Sequence, residues 1–212
     1  MSSMSLKGAV RGKKKRTTIP SPKDQCPKDL VNRKFTADRP NKLWVADFTY
    51  VSTWRGYAYA AFIIDVFSRM IVGWNVMASM TAQLTLNALT QALWARDVPP
   101  GLIHHSDKGS QYIAVRYTDK LHLSGIKASV GSVGDAYDNA LAETTIGLYK
   151  TEKIKKEYPW KTIQEVEYAT MEWVNWYNNK RLLESIGYIP PVEYERMYYS
   201  NQESTAMVAV LE

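Results

Sequence analysis

Between Leu43 and Ala78 aromatic and β-branched residues crowd the chain, with breaks at Trp54-Arg55-Gly56 and Ser68-Arg69. That pattern predicts three successive antiparallel strands joined by tight turns. Alternation in the first run, Leu43 to Val51, sends Val45, Asp47, Thr49 and Val51 to one face. From Thr81 to Asp97 the apolar positions Leu84, Leu86, Ala88, Leu89, Ala92, Leu93 and Trp94 follow a helical period that ends before Pro99-Pro100-Gly101. A short strand from Leu102 to His105, a helix from about Ser110 to Ser124, a short strand around Ile126 to Val130 and a helix starting near Asp138-Asn139 complete the middle of the chain. Ile163, Val166, Ala169, Thr170, Trp173, Trp176 and Tyr177 mark a helix from Thr162 to Asn179 whose stripe is expected to pack on the sheet. Beyond Tyr199 the pattern fades into a frayed tail.

Strand-strand-strand-helix-strand-helix-strand-helix is the order of a ribonuclease H-like α/β fold, a mixed five-stranded sheet flanked by helices, and it suits other α/β folds as well. Three acids fall at informative places on it. Asp47 lies inside the first strand, Asp107 follows the strand ending at His105 in a Gly-bearing turn, and Glu143 sits in the helix after Asp138-Asn139. Magnesium or manganese takes hard oxygen ligands and keeps positions for water and phosphate. Two such ions, about 3.5 to 4 Å apart and held by short acids on strands and a longer acid on a helix, suit in-line displacement at phosphorus. Asp47, Asp107 and Glu143 are therefore expected to be catalytic and to hold two Mg2+ or Mn2+ ions. Lys150 follows Glu143 by two helical turns and projects from nearly the same face, where it is placed to hold a DNA phosphate. The Gly-rich segment Gly131 to Tyr137 reads equally as a loop that lets Glu143 swing and as an ordinary connection.

Charge changes the picture at the N-terminus. The chain carries a net +6, yet residues 1–43 hold twelve lysines and arginines against three aspartates, an excess of nine that leaves the remainder at −3. Pro20, Pro22, Pro27 and Pro40 deny this stretch a helical period, so residues 1–40 read as an extended basic N-terminal arm with Arg11, Lys13, Lys14, Lys15 and Arg16 as DNA-binding candidates. A simple solvated tail has the same composition. Residues 41–198 form the core with its C-terminal helices and residues 199–212 the tail. The single cysteine, Cys26, excludes an internal disulfide and favours a reducing compartment. No apolar stretch approaches the roughly 18 residues of a membrane span; Tyr57 to Phe67, the best candidate, contains Asp65.

Thirty-five residues separate Asp107 from Glu143. With the blocks Trp44-Val-Ala-Asp47-Phe-Thr-Tyr50, His104-His-Ser-Asp107-Lys-Gly-Ser-Gln-Tyr112 and Asp138-Asn-Ala-Leu-Ala-Glu143, the chain closely resembles the OrfB integrase core of the insertion-sequence-three family of bacterial transposases, a retroviral-integrase-like DDE core. The likeness runs from roughly Ala9 to Arg196, through Gly147, Lys150-Thr-Glu152, Trp173, Trp176-Tyr-Asn178 and Pro190-Pro-Val-Glu-Tyr-Glu195. It implies the ribonuclease H-like fold and a DDE polynucleotidyl transferase that cleaves and transfers strands at mobile-element ends. It also implies a homo-oligomer on terminal repeats and target DNA, a circular intermediate, and a place in the cytoplasm at the bacterial nucleoid. Family members generally carry a helix-turn-helix region before the core, often through fusion with an upstream frame, and nothing in residues 1–43 resembles one. The alternative is a truncated, nonproductive DNA-binding fragment that assembles with or inhibits the full-length transposase. A ribonuclease H-like nuclease acting on hybrids or branched DNA is disfavoured by the transposase blocks.

Several residues take second rank. Ser110 and Gln111, read at a helix start, offer backbone amides to a phosphate, and Asn139 reads with Asp138 as an N-cap. Lys153, beside Lys155 and Lys156, is a DNA-binding candidate. Asn178, Asn179, Lys180 and Arg181 are read as capping their helix and touching DNA, although Leu183 stands where relatives often have His. His104 and His105 point to opposite faces of one strand and, with His122 on a helix, are expected to serve structure or positioning rather than zinc. Asp65 is expected to pair with Arg69.

Overall fold

The computed structural model describes residues 27–131 and 139–209. Most of the basic arm, Cys26, the Gly-rich segment after Gly131 and Asp138 lie outside the described residues. The element order is β1 (Leu43–Thr53), β2 (Gly56–Asp65), β3 (Ile71–Met77), α1 (Ala82–Ala95), β4 (Ile103–Ser106), α2 (Val115–Leu123), β5 (Lys127–Val130), α3 (Ala140–Tyr149), α4 (Ile163–Asn179) and α5 (Pro191–Ala209).

The five strands form one mixed sheet in the order β3-β2-β1-β4-β5. The first three make an antiparallel meander, as the punctuation at Gly56 and Arg69 predicts, while β4 and β5 join in parallel after helical crossovers. Both faces are covered, so the central strands are apolar throughout. On one face Val45, Val51, Ala58, Ala60, Phe62 and Ile64 pack under α3 and α4. On the other, Trp44, Ala46, Ala61 and Ile63 pack under α1 and α2. Gly73 permits the close seat of α1 on β3, since a Cβ there would stand 2.3 Å from the Ala88 carbonyl.

A length mismatch positions the site. β1 has 11 residues, but β4 pairs only with its first four, Leu43 to Ala46. From Asp47 onward β1 keeps its β2 partner and loses β4, and α3 packs beside it instead.

Three expectations are corrected. α2 begins at Val115 rather than near Ser110, because a short turn closes back on Gly109 and Ala114 is extended. Tyr112, buried against Phe48 and Tyr117, holds that turn in place. Trp94, read as part of the α1 stripe, points outward at 90% exposure. The tail expected to fray after Tyr199 is helical to Ala209. Pro191 opens α5 without losing a needed donor, and Tyr194 and Tyr198 anchor it on Phe67, each with ring centroids 5.0 Å apart.

Candidate active site

Asp47 is the first residue of β1 beyond the rungs shared with β4, and it faces the α3 and α4 side directly opposite Phe62. Alternation puts it there, and the site inherits the stiffness of a strand in mid-sheet. Its carboxylate is partly buried and accepts a hydrogen bond from the Phe48 amide at 2.8 Å. Burial, followed by the negative charges of Asp107 and Glu143, raises its pKa from 3.8 to about 7, and Lys150 opposes the shift. Asp107, Glu143 and Lys150 thus all act on the Asp47 carboxylate.

Asp107 follows the end of β4, and its side chain remains open to solvent. Even so, the surrounding protein strips enough water to push its carboxyl above the ordinary range, against a hydrogen bond from Gly109 N at 3.2 Å. A Cβ at 109 would sit 3.0 Å from Asp107 Oδ1 and 3.1 Å from Gln111 Oε1, so a larger residue there would have to shift the Asp107 carboxylate by a few tenths of an ångström. Glu143 is exposed in the first turn of α3. Among the described residues no three His, Cys, Asp or Glu side chains stand close enough together to hold a metal ion.

Asn139 was expected to cap α3 and does not do so with its side chain. Its Nδ2 instead donates to the Ala46 carbonyl at 2.9 Å, the main-chain group just before Asp47. Its Oδ1 is buried without a hydrogen-bond partner among the described residues. A residue read as an ordinary cap therefore ties the Glu143 helix to the Asp47 strand.

Lys150 begins a π-helical turn, Lys150–Ile154, and its ammonium lies over the Tyr50 ring, 5.4 Å from the centroid. Lys153 is held otherwise: it pairs with Glu157 at 2.7 Å and Glu172 at 2.9 Å, which ties it to α4. Gln111 is buried and donates to the Met80 carbonyl at 3.2 Å, while Ser110 is exposed in the turn before α2. Neither stands at a helix N-terminus.

Asp65 is fully buried at the far end of β2. It accepts from Asn41 N at 2.7 Å, Trp44 Nε1 at 3.2 Å, Phe67 N at 2.9 Å and Ser68 N at 3.1 Å, so it caps a turn and makes no ion pair with Arg69 within salt-bridge distance. Asn178 is buried and bridges the Ile71 amide and carbonyl, both at 2.9 Å, which corrects its reading as a DNA contact. Arg181 grips Glu152, with contacts as short as 2.6 Å. His104 meets the Tyr117 hydroxyl at 2.9 Å, and burial drops its pKa to about 3; His105 meets Ser129 at 2.8 Å. The two rings face opposite sides of the sheet, as alternation predicts, in structural surroundings.

Two Integrase core domain family profiles match the chain, over residues 37–136 and 124–191. A transposase of insertion sequence element IS629 from Shigella sonnei is 57% identical over 201 residues, covering 95% of this chain and 67% of the relative. Putative transposases of IS986/IS6110 from Mycobacterium tuberculosis are 49% identical over 211 residues, covering 97% and 76%. Among solved structures, the HTLV-2 integrase catalytic core domain in complex with magnesium superposes with a TM-score of 0.60 at 18% identity, covering 76% of this chain and 99% of that one. A chain of the simian T-cell lymphotropic virus intasome gives a TM-score of 0.65 at 17% identity, with 80% of this chain but 58% of that one covered. Those structures share the fold, a retroviral-integrase-type ribonuclease H-like core. By its Integrase core domain profiles and its sequence relatives, the chain belongs to the insertion-sequence-three family of transposases.

Proposed function

We propose that this chain carries out metal-dependent cleavage and transfer of DNA strands at the ends of a mobile element, with Asp47, Asp107 and Glu143 as its catalytic acids. The observation that carries this reading is the place of Asp47, a half-buried strand acid just past the β1–β4 rungs on which Asp107 and Glu143 both act. A carboxylate on a rigid strand, kept protonated to about pH 7 by burial and by two further acids, has the environment that a bound cation would relieve. The donor set fits magnesium or manganese, being all hard oxygen. Asp47, Asp107 and Glu143 would hold two ions, which supply charge neutralisation and activate an attacking oxygen when bound. Lys150 orients the reacting strand through a phosphate, and Asn139 fixes the approach of α3 to β1. Pairing to Glu157 and Glu172 argues against a free DNA role for Lys153.

Terminal repeats and target DNA are the proposed partners, bound by an oligomer at the nucleoid, with the basic arm adding affinity for phosphate. No described helix is long and apolar enough to cross a membrane. A helix-turn-helix protein or fusion from the upstream frame would supply end recognition. The rival reading is a nonproductive DNA-binding fragment that assembles with or inhibits a longer transposase. Incubation with labelled element ends and Mg2+ or Mn2+, with and without the upstream-frame protein, separates the two. Strand transfer lost in Asp47→Asn, Asp107→Asn and Glu143→Gln while DNA binding persists is expected, and transfer at wild-type rate in any of the three sinks the assignment.

A further inference from the structure

Past Asp47 the β1–β2 hairpin carries aromatic rings that the core does not use. Tyr50 is 61% exposed, Trp54 68% and Tyr57 53%. Tyr50 and Tyr57 meet edge to face with centroids 5.5 Å apart. Exposed rings also stand singly elsewhere on the surface, as Trp94 does, but here they adjoin one another, and a contiguous exposed patch marks a place where something docks.

Cations stand on two of these rings. Lys150 Nζ is 5.4 Å from the Tyr50 centroid, Lys161 Nζ is 5.7 Å from that of Trp54, and Arg55 is exposed in the turn between the strands. Glu157 and Glu165 lie four residues to either side of Lys161; Glu157 pairs with Lys153 at 2.7 Å and Glu165 accepts from the Lys161 backbone amide at 2.8 Å, and among the described residues no carboxylate stands within salt-bridge distance of the Lys161 ammonium. The hairpin is also braced. Trp54 N donates to the Trp160 carbonyl at 3.0 Å, and Thr53 bridges to Trp160 in parallel, which holds the tip against the segment leading to α4.

We infer that Tyr50, Trp54 and Tyr57, with Lys150, Lys161 and Arg55, form a stacking platform for unpaired bases of the DNA strand whose phosphate lies at Asp47. The inference rests on the strand-transfer reading above. Bases of a duplex stack on each other and hide their faces, so exposed rings engage a strand only where it is unpaired, while interleaved cations meet its phosphates. Distance agrees with this use. At about 3.3 Å of strand rise per residue, Tyr50 lies about 10 Å and Thr53 about 20 Å along β1 from Asp47. Alternation sets Tyr50 on the sheet face opposite Asp47, so a strand leaving the acids reaches the ring around the β1 edge that β4 vacates after Ala46. A duplex end that frays there would find ring and cation in alternation. Lys150, which acts on Asp47 and also rests on Tyr50, joins the platform to the acids.

The test compares the full chain on two fluorescent probes, a blunt duplex of element-end sequence and the same duplex with an unpaired tail of about six nucleotides. Wild type is expected to bind the tailed probe more tightly. Tyr50→Ala and Trp54→Ala should each weaken tailed binding by about 5- to 150-fold, the range for one lost stacked base. Blunt-duplex binding should stay unchanged, and Tyr50→Phe should retain the preference for the tail. Equal losses on both probes, or no loss on either, overturn the platform. A change in sedimentation with unaltered tailed binding overturns it too, in favour of docking between copies of the chain. If wild type binds neither probe, the DNA reading itself fails, whereas binding of both probes without preference leaves that reading standing and removes only the platform.

Discussion

Asn139 Nδ2 donates to the carbonyl of Ala46 over 2.9 Å, and that contact spans 93 positions of sequence to join the helix bearing Glu143 to the residue before Asp47. Since β4 stops pairing at Ala46, this amide holds α3 beside β1 at the edge where the sheet ends. Asn139→Ala is expected to cost about 0.5–1.5 kcal/mol of stability, the net value of one such hydrogen bond. Strand transfer should fall by about 10- to 100-fold, as a misplaced catalytic group does. Thermal melting beside single-turnover rates checks this, and a variant that melts early but transfers at the normal rate would refute the role in alignment.

The raised pKa of Asp47 predicts a pH effect of defined sign. Its pKa is about 7 in the fold against 3.8 when free, so between these values the folded chain holds a proton that the unfolded chain has released. Stability from this group therefore falls as pH rises from about 4 to about 7 and levels off above. Asp47→Asn removes the cost. The variant should exceed wild type in stability at pH 8, by on the order of a few kcal/mol, with the gap closing near pH 4. Mg2+ should raise wild-type stability at pH 8 and have a smaller effect on the variant. Denaturant titrations at three pH values decide it.

Asn178 satisfies both main-chain groups of Ile71, so Asn178→Ala leaves a buried amide and a buried carbonyl unpaired. A loss of about 2 kcal/mol or more follows. Affinity for DNA should be unaffected once the protein is folded, and a selective loss of affinity would restore the contact expected from sequence.

Arg96 and Glu195 form a nearly buried pair at 2.6 Å, each side chain about 10% exposed, and Arg96 Nε also bonds Asn41 Oδ1 at 3.1 Å. The pair fastens α5 to the end of α1. Glu195→Ala should cost about 3–5 kcal/mol because the guanidinium is stranded, whereas Arg96→Met combined with Glu195→Leu should recover most of it. Chemical denaturation of the single and double variants measures the difference.

The basic arm is expected to govern salt dependence. If about four of its charges meet phosphates, log affinity falls with log salt at a slope of roughly −3.6, about 100-fold between 50 and 200 mM. The end of the expected arm belongs to the body, since Val31 is buried in the core with Phe35 packed against it; deleting residues 1–26 should therefore flatten that slope, and equal slopes would place the contacts on the body.

The sheet was legible because alternation and turn residues are local signals. The pattern of β1 alone places Asp47 beside Val45 and Thr49 on the correct face. Asp65 misled because a lone acid near an arginine suggests an ion pair, while its real partners are the Asn41 amide, the Trp44 indole and the turn that follows, through the Phe67 and Ser68 amides and the Ser68 hydroxyl. Lys153 misled for the same reason in reverse: a run of lysines looks free until α4 folds back and brings Glu172 to it. The Asn139 tether could not be read at all, since no local pattern records which carbonyl a side chain meets across half the chain. Ser110 and Gln111 were misplaced because a buried Tyr112 and an extended Ala114 override the helical period there.

The four rungs between β1 and β4 set where Asp47 sits, and they lie wholly upstream of it. Beyond them the strand is fixed by β2 and by Val51, Ala58 and Ala60 in the core, so the exposed side chains of Trp54, Arg55 and Tyr57 at the tip can change without shifting the acid. The fold thereby separates two design problems along one strand. Its first half carries the acid that the proposed chemistry needs, and the exposed side chains at its tip are where contacts with DNA can change while that acid stays in place.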